Sequence, residues 1–248
     1  MMNRRLDRVI YEMGLADSRT RAGQLIKSGN VRVNGEIITK PSHIAGQDSV
    51  IHVEQSSGYV SRGGYKLKEA IDSFGISLDG IVCLDIGAST GGFTDCMLQH
   101  GAKKVYAVDV GKDQLALPLR KDRRVVSLEK TDIRNLGADM IEPVSFAAVD
   151  LSFISLKSVL PHIVSLLGGE SELVALIKPQ FEGRHKNKKG VIKDKRIHDS
   201  VVAEITEFCR QNGFPVKSII PSPIKGKEGN TEFLAWIETR SITPSPSC

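Results

Sequence analysis

Three charged residues stand directly behind apolar runs of the sequence, where buried strands would end, and a fourth follows shortly after another run. Asp109, Asp150 and Lys178 each follow such a run, and Asp132 lies three residues after another. In open α/β sheets, ligands bind outside the carboxyl ends of the strands. A carboxylate there accepts hydrogen bonds from ribose hydroxyls or an adenine amino group, and a lysine serves as a base or an anion contact. The pattern predicts a nucleotide site with reactive groups beside it.

The stretch 80–92 adds a glycine-rich corner to this pattern. Its apolar run contains Asp85 and turns at Gly87, Gly91 and Gly92 toward a helix that starts near Phe93. Glycines permit positive φ angles and close backbone approach, so a nucleotide-like ligand fits against the corner and the amino end of that helix. A tight turn without a ligand explains the same glycines, and both interpretations stand at this point.

The elements that position these residues alternate along the chain. Apolar runs predict strands at 81–86, 104–109, 125–129, 146–151, 173–178, 216–221 and 232–239. Helical periodicity occurs at 67–74, in a helix beginning near Asp113, at 156–167 and at 197–209. This alternation indicates an α/β fold with a doubly wound parallel sheet. The glycine-rich connection before the last strand favours an antiparallel pair at the sheet edge.

A smaller unit precedes the sheet. Helices are predicted at 4–13 and 19–27, followed by a hairpin at 31–38 around Asn34-Gly35 and a strand at 50–53. This succession resembles the small RNA-binding module of ribosomal protein S-four. The basic residues of the helical part, which are Arg4, Arg19, Arg21 and Lys27, would then contact RNA phosphates. The alternative is that these charges only solvate the helices.

The composition is that of an ordinary globular protein, with 248 residues, 40% of them hydrophobic, and a net charge of +5. No run approaches the roughly 18 to 20 apolar residues that cross a bilayer, and the start lacks a secretion signal, so we expect a cytoplasmic protein. The 4 scattered cysteines predict neither disulfides nor a zinc site. We expect a small domain at 1–57, a linker at 58–64, a large domain at 65–240 and a flexible tail at 241–248.

Several motifs of the large domain jointly resemble the S-adenosylmethionine-dependent RNA 2′-O-methyltransferases of the FtsJ type. They are 61–66, 85–93, 109–111, residue 132, 149–153, 178–182 and 231–232. With the RNA-binding module in front, the chain resembles the TlyA family of rRNA cytidine 2′-O-methyltransferases, also known as hemolysin A. The resemblance implies a Rossmann-like seven-stranded sheet, S-adenosylmethionine as cofactor, and ribosomal RNA or ribosomal subunits as partner.

The resemblance also assigns roles to residues. Catalysis falls on Lys66, Asp150, Lys178 and Glu232. Cofactor binding falls on Asp85, Gly87, Ser89, Thr90, Gly91, Gly92, Phe93, Asp109, Asp132 and Asp150, and no metal is implied. A ribose hydroxyl must lose its proton to attack a methyl group, and Lys178 is the expected base. A lysine does this near neutrality only when its pKa falls from about 10.4, which burial and a second cation such as Lys66 promote. The two carboxylates would orient the two lysines.

Further basic residues are expected on RNA. The loop 183–196 carries seven Lys or Arg residues against one Asp and follows directly on the strand of the predicted base. We expect it to clamp rRNA phosphates, although a solvated charge run is the usual explanation of such a stretch. The predicted contacts outside the small domain are Arg62, Arg184, Lys186, Lys188 and Lys189.

Three other functions compete with methyl transfer. A membrane-damaging protein is implied by the hemolysin name, but no secretion signal, spanning segment or long amphipathic helix supports it. An RNA-binding assembly factor would hold the cofactor without using it, which the complete set of two lysines and two carboxylates argues against. An NAD-dependent dehydrogenase is the third, and a lysine at position 178 is uncommon in that class.

Overall fold

A computed structural model describes residues 4–16, 18–27, 29–46, 48–53, 58–182, 191–226 and 229–239, without the side chains of Arg21 and Gln24. The chain divides into two compact units, one ending at Gly58 and the next beginning at Tyr59. Tyr59 is buried among the core residues of the second unit. This unit therefore begins inside the segment 58–64, which was expected as a linker.

The first unit packs two helices on short strands. Its elements are β1 (Arg4–Arg5), α1 (Leu6–Glu12), α2 (Arg19–Lys27), β2 (Val31–Val33), β3 (Glu36–Ile37), β4 (Ile44–Ala45) and β5 (Ile51–Val53). The predicted second helix and hairpin are confirmed, with Asn34 and Gly35 at φ 52 and 88. The first helix begins at Leu6 rather than residue 4, because β1 pairs with β4 instead.

The second unit is built on one seven-stranded sheet. Its strands are β6 (Val82–Ile86), β7 (Lys104–Val108), β8 (Val125–Leu128), β9 (Val144–Val149), β10 (Leu167–Ile177), β11 (Val216–Pro221) and β12 (Phe233–Glu238). They lie in the order β11-β12-β10-β9-β6-β7-β8. The five strands from β10 to β8 are parallel, and β12 is antiparallel to both of its neighbours. The predicted α/β sheet with an antiparallel pair at its edge is confirmed.

Helices cover both faces of this sheet. They are α3 (Gly63–Phe74), α4 (Gly92–Gln99), α5 (Leu117–Lys121), α6 (Leu160–Leu166), α7 (Pro179–Glu182) and α8 (Lys195–Gln211). Successive residues of β9 point to opposite faces of the sheet. Ala147 and Val149 belong to the core under α6 and α8, whereas Phe146 and Ala148 belong to the core under α3 and α4. Central strands buried on both faces explain the nearly continuous apolar runs in the sequence.

Several predicted boundaries were wrong. The helix expected near Asp113 is the short α5, because Asp113 itself has φ 56 and Pro118 stands in the first turn of α5. The helix expected at 156–167 is a 3-10 turn at Leu156–Ser158 followed by α6, whose first turn contains Pro161. Strand β10 starts six residues before residue 173, with an irregular register between Leu167 and Glu172. Helix α3 begins at Gly63, four residues before 67.

Candidate active site

The glycine corner after β6 is shaped by contacts within the protein. Gly87 has φ 84, and a Cβ atom there would lie 2.6 Å from the carbonyl oxygen of Asp150. A Cβ at Gly91 would meet the side chain of Leu119, and one at Gly92 would meet the hydroxyl of Ser61. Close packing of neighbouring strands and helices therefore requires these glycines, and the sequence had left open both a tight turn and the approach of a ligand as their reason.

Asp85 holds the start of the helix that follows the glycine corner. It is fully buried, and its Oδ2 accepts hydrogen bonds from the backbone N–H of Thr94 at 2.8 Å and from the Thr94 hydroxyl at 2.6 Å. Its Oδ1 is buried without a hydrogen-bond partner. Burial raises the pKa of Asp85 to about 7, against the opposing effect of the Thr94 bonds. Asp85 was predicted as a cofactor residue, and its contacts within the protein hold the start of α4.

Asp109 and Asp132 stand at the ends of the next two strands. The carboxylate of Asp109 accepts from the backbone N–H of Ser89 at 2.8 Å and of Gly111 at 2.6 Å. Asp132 accepts from the backbone and guanidinium of Arg134, and hydrogen bonds from Arg134 lower the pKa of Asp132 to about 2. A carboxylate has about four acceptor positions, so both side chains retain capacity for a ligand.

Two cavities open along this edge of the sheet. One, of about 450 Å³, has apolar walls that include Val110 and Ile133 and carries the carboxylates of Asp109 and Asp132. The other, of about 250 Å³, is more polar, and its lining includes Asp150. Both cavities are lined by Gly87 and Ser89, so they meet at the glycine corner. Of the other predicted cofactor residues, Thr90, Gly92 and Phe93 line the polar cavity.

The four predicted catalytic residues form two ion pairs. Lys66 Nζ lies 2.6 Å from Glu232 Oε2, and Lys178 Nζ lies 2.5 Å from Asp150 Oδ1. Lys66 and Asp150 both line the polar cavity, which brings the two pairs to one place. The structure thus joins residues 66 and 232, which are 166 positions apart in the sequence.

A loop encloses Glu232 in the first pair. Gly226 lies so close that a Cβ there would collide with the Glu232 carboxylate. The loop is held by hydrogen bonds between Gly226 N and Asn230 O at 2.8 Å and between Ser222 N and Glu232 O at 2.9 Å. Glu232 is consequently only 3% exposed.

Two neighbours of the second pair belong to a motif of the sequence but had been given no role. Lys178 Nζ donates a 3.0 Å hydrogen bond to the hydroxyl of Ser152, which lines the apolar cavity. Phe153, the next residue, is 86% exposed with φ 69, and its ring centroid lies 5.0 Å from that of Phe181. Ser152 and Phe153 both belong to the motif 149–153. The sequence pattern alone does not show whether such a phenylalanine is exposed or buried in the core.

Glu182 ties the loop after β9 to the helix after β10. Its carboxylate accepts from the Ser155 hydroxyl at 2.6 Å and from the Leu156 N–H at 2.9 Å. Burial raises the pKa of Glu182, and these two hydrogen bonds oppose the shift. The loop that carries Ser152 and Phe153 is thereby fixed to the element that follows Lys178.

The predicted RNA contacts fall into three groups. Arg4 and Arg19 are about half exposed and pair with Glu12 at 2.5 Å and Asp7 at 3.4 Å. Lys27 is exposed, and Arg62 is exposed and lines the polar cavity together with Lys225, which had not been predicted. The side chain of Arg21 and the residues Arg184, Lys186, Lys188 and Lys189 lie outside the described part of the structure.

A mostly parallel seven-stranded sheet with one antiparallel strand is the sheet of S-adenosylmethionine-dependent methyltransferases. A family model described as FtsJ-like methyltransferase matches residues 59–239, and one described as S4 domain matches residues 4–51. The chain belongs to the FtsJ-like methyltransferase family, and S-adenosylmethionine is its cofactor.

Relatives that cover nearly the whole chain carry two kinds of name. Hemolysin A of Brachyspira hyodysenteriae is 43% identical over 93% of this chain and 98% of its own. The 16S/23S rRNA (cytidine-2'-O)-methyltransferase TlyA of Mycobacterium tuberculosis is 39% identical over 96% of this chain and 90% of its own. A solved structure described as a hemolysin from Streptococcus thermophilus is 42% identical, covers 97% of this chain and 90% of its own, and superposes with a TM-score of 0.76. The predicted resemblance to the TlyA family is confirmed.

Proposed function

We propose that this protein transfers a methyl group from S-adenosylmethionine to a ribose 2′-hydroxyl of ribosomal RNA, on cytidine. The observation that carries the proposal is the position of Lys178, whose amine contacts Asp150 on the lining of the polar cavity and Ser152 on the lining of the apolar one. Lys178 thus lies between the two cavities, where the two ends of one ligand that fills both would join. The TlyA relative, which bears the name of this activity, supports the substrate.

The two cavities fit the cofactor. Apolar walls with the carboxylates of Asp109 and Asp132 suit an adenosine, since a ribose diol and an amino group need acceptors. The polar cavity suits the amino-acid end, with the backbone of Gly87 to Thr90 and the side chain of Asp150 available for its charged groups. When bound, the cofactor supplies an activated methyl group on a sulfonium centre. The chain's residues have to deliver the nucleophile.

Lys178 is the proposed general base. Its neutral amine would accept the proton of the 2′-hydroxyl, which would make the 2′-oxygen the nucleophile for the methyl group that the cofactor supplies. Asp150 orients the amine before this step and stabilises the ammonium after it. Lys66 is held in its ion pair with Glu232 and would not exchange a proton with the substrate.

The outer surface offers contacts for RNA. Phe153 presents an exposed aromatic ring beside the cavities, and unpaired RNA bases stack on such rings. Arg62 and Lys225 at the polar cavity, the 183–196 segment and the basic residues of the first unit would contact phosphates. We extend the proposal to ribosomal subunits as partners and to the cytoplasm as the place of action.

The test is methyl transfer from isotope-labelled S-adenosylmethionine to ribosomal RNA, followed by mass mapping of the modified nucleotides. We expect the label on a cytidine ribose, and none when Lys178→Ala replaces the wild type. Label on a base, or on protein, would contradict the proposal.

The hemolysin name of some relatives suggests a membrane activity as the rival. Among the described residues, no helix combines the length and the hydropathy of a membrane span. Release of dye from phospholipid vesicles by the pure protein separates the two functions. We expect no release above that of a buffer control, whereas strong release at neutral pH would favour the rival.

A further inference from the structure

Two oxygen atoms of the protein lie close to the amine of Lys178, and they make different contacts with it. Ser152 Oγ accepts a hydrogen bond from Nζ at 3.0 Å, whereas Asp150 Oδ1 lies 2.5 Å from Nζ in an ion pair without hydrogen-bond geometry. A neutral amine has two N–H groups and one lone pair. The hydrogen bond to Ser152 fixes the direction of one N–H group, and the adjacent carboxylate restricts rotation about that bond, so few directions remain for the lone pair. Without the hydrogen bond to Ser152, the amine would turn more freely.

The loop geometry fixes where the hydroxyl of Ser152 lies. Strand β9 ends at Val149, and the chain turns at Phe153, whose φ of 69 is unfavourable for a side chain of that size. Glu182 then holds Ser155 and Leu156 from the element that follows Lys178. Strained backbone persists only where the surrounding structure enforces it, and such positions cluster at functional sites. The loop that carries the Ser152 hydroxyl is therefore fixed to the segment that follows Lys178.

The Ser152 hydroxyl bonds to Lys178 and to no other group in the described part of the structure. Ser152 is exposed, and among the described residues its Oγ makes no hydrogen bond other than the one it accepts from Lys178. An exposed hydroxyl of this kind contributes little to stability, since water satisfies it equally well. The neighbouring Ser155 differs, because its hydroxyl bonds to the half-buried Glu182.

We propose that Ser152 is a positioning residue for the reaction, which together with Asp150 directs the lone pair of Lys178 toward the ribose hydroxyl. This rests on the function proposed above, and it extends the catalytic machinery beyond the two lysines and two carboxylates. Ser152 acts through the amine, so its loss lowers the rate of methyl transfer more than it weakens the binding of either substrate, although the residue also lines the apolar cavity.

Threonine and valine at position 152 form a matched pair for the test, because they have nearly the same shape and differ in the hydroxyl. Single-turnover methylation of ribosomal RNA is measured for wild type, Ser152→Thr, Ser152→Val and Ser152→Ala, with calorimetric affinity for S-adenosylmethionine and the Kd for RNA. We expect the threonine variant within about threefold of wild type. The valine and alanine variants should be slower by roughly tenfold to a hundredfold, the usual cost of a lost hydrogen bond to a group that becomes charged as it accepts the proton.

Two results would overturn the proposal and are distinguishable from each other. Equal rates for the threonine and valine variants, or an alanine variant as fast as wild type, would remove Ser152 while the methyltransferase stands. A wild-type protein that transfers no methyl group to RNA would remove the proposed function, and the role of Ser152 with it.

Discussion

The two lysine–carboxylate pairs of the site have similar lengths, 2.6 and 2.5 Å, and different surroundings. The Lys66–Glu232 pair is closed in by the Gly226 loop, with the carboxylate side chain 3% exposed. In the Lys178–Asp150 pair, the carboxylate side chain is 23% exposed and the amine has a further contact to Ser152. The two lysine side chains are buried to a similar extent, 11% exposed for Lys66 and 9% for Lys178, so burial alone does not distinguish them as bases. The proposal that Lys178 is the base rests on its contacts with Asp150 and Ser152, which line different cavities.

The largest effect on stability should come from breaking the closed pair. Glu232→Gln leaves the buried ammonium of Lys66 without a counter-charge, and removing one partner of a buried pair costs about 3 to 5 kcal/mol. Asp150→Asn should cost less, because its pair is partly solvated and Lys178 keeps Ser152. Urea unfolding of the two variants measures the difference. Equal losses would mean that the two pairs are not distinguished by burial.

Asp85 sharpens the comparison, since it is a buried carboxylate that pairs with a threonine instead of a lysine. Its folded pKa of about 7 lies above the ordinary value, so the folded state binds the proton more tightly. Its contribution to stability is therefore lost as the pH rises from about 4 to 7. Between pH 5 and pH 8 the wild type should lose about 2 to 3 kcal/mol relative to Asp85→Asn. Parallel pH profiles of the two proteins in chemical unfolding would contradict this.

Asp109 represents a third environment, a carboxylate held by backbone N–H groups at the edge of the apolar cavity. Asp109→Ala should weaken S-adenosylmethionine by about 1 to 3 kcal/mol, because its hydroxyl partners are left unpaired. Calorimetry provides the measurement, with Glu170→Ala, at an exposed position of β10, as the control. Unchanged affinity in the Asp109 variant would move the ribose site elsewhere.

The smallest effect is expected for a lysine exposed on the surface. Lys27→Gln should make the fall of RNA affinity with salt shallower by just under one unit of log-log slope, the effect of one phosphate contact. Lys103→Gln, at the amino end of β7 and opposite the cavities, serves as the control. If both variants keep the wild-type slope, Lys27 only solvates its helix.

The sequence predicted the sheet and the edge where the site lies, because apolar runs end abruptly at charged residues such as Asp109, Asp150 and Lys178. It did not predict why the corner glycines are needed, since their neighbours Leu119 and Ser61 come from distant segments. Ser152 was equally hidden, because its bond to Lys178 depends on the turn at Phe153. The predicted start of α5 was wrong for a local reason, because Asp113 has a left-handed backbone conformation and cannot begin the helix.

The most direct measurement compares arginine substitutions at the two lysines in single-turnover methylation of ribosomal RNA. Arginine keeps the charge and cannot release its proton near neutral pH. Lys178→Arg should lower the rate by a factor on the order of 10² to 10⁴, the usual share of general-base catalysis, with affinities for RNA and cofactor unchanged. Lys66→Arg, which preserves the charge beside Glu232, should lose clearly less. A Lys178→Arg protein that methylates at nearly the wild-type rate would contradict the assignment of the base.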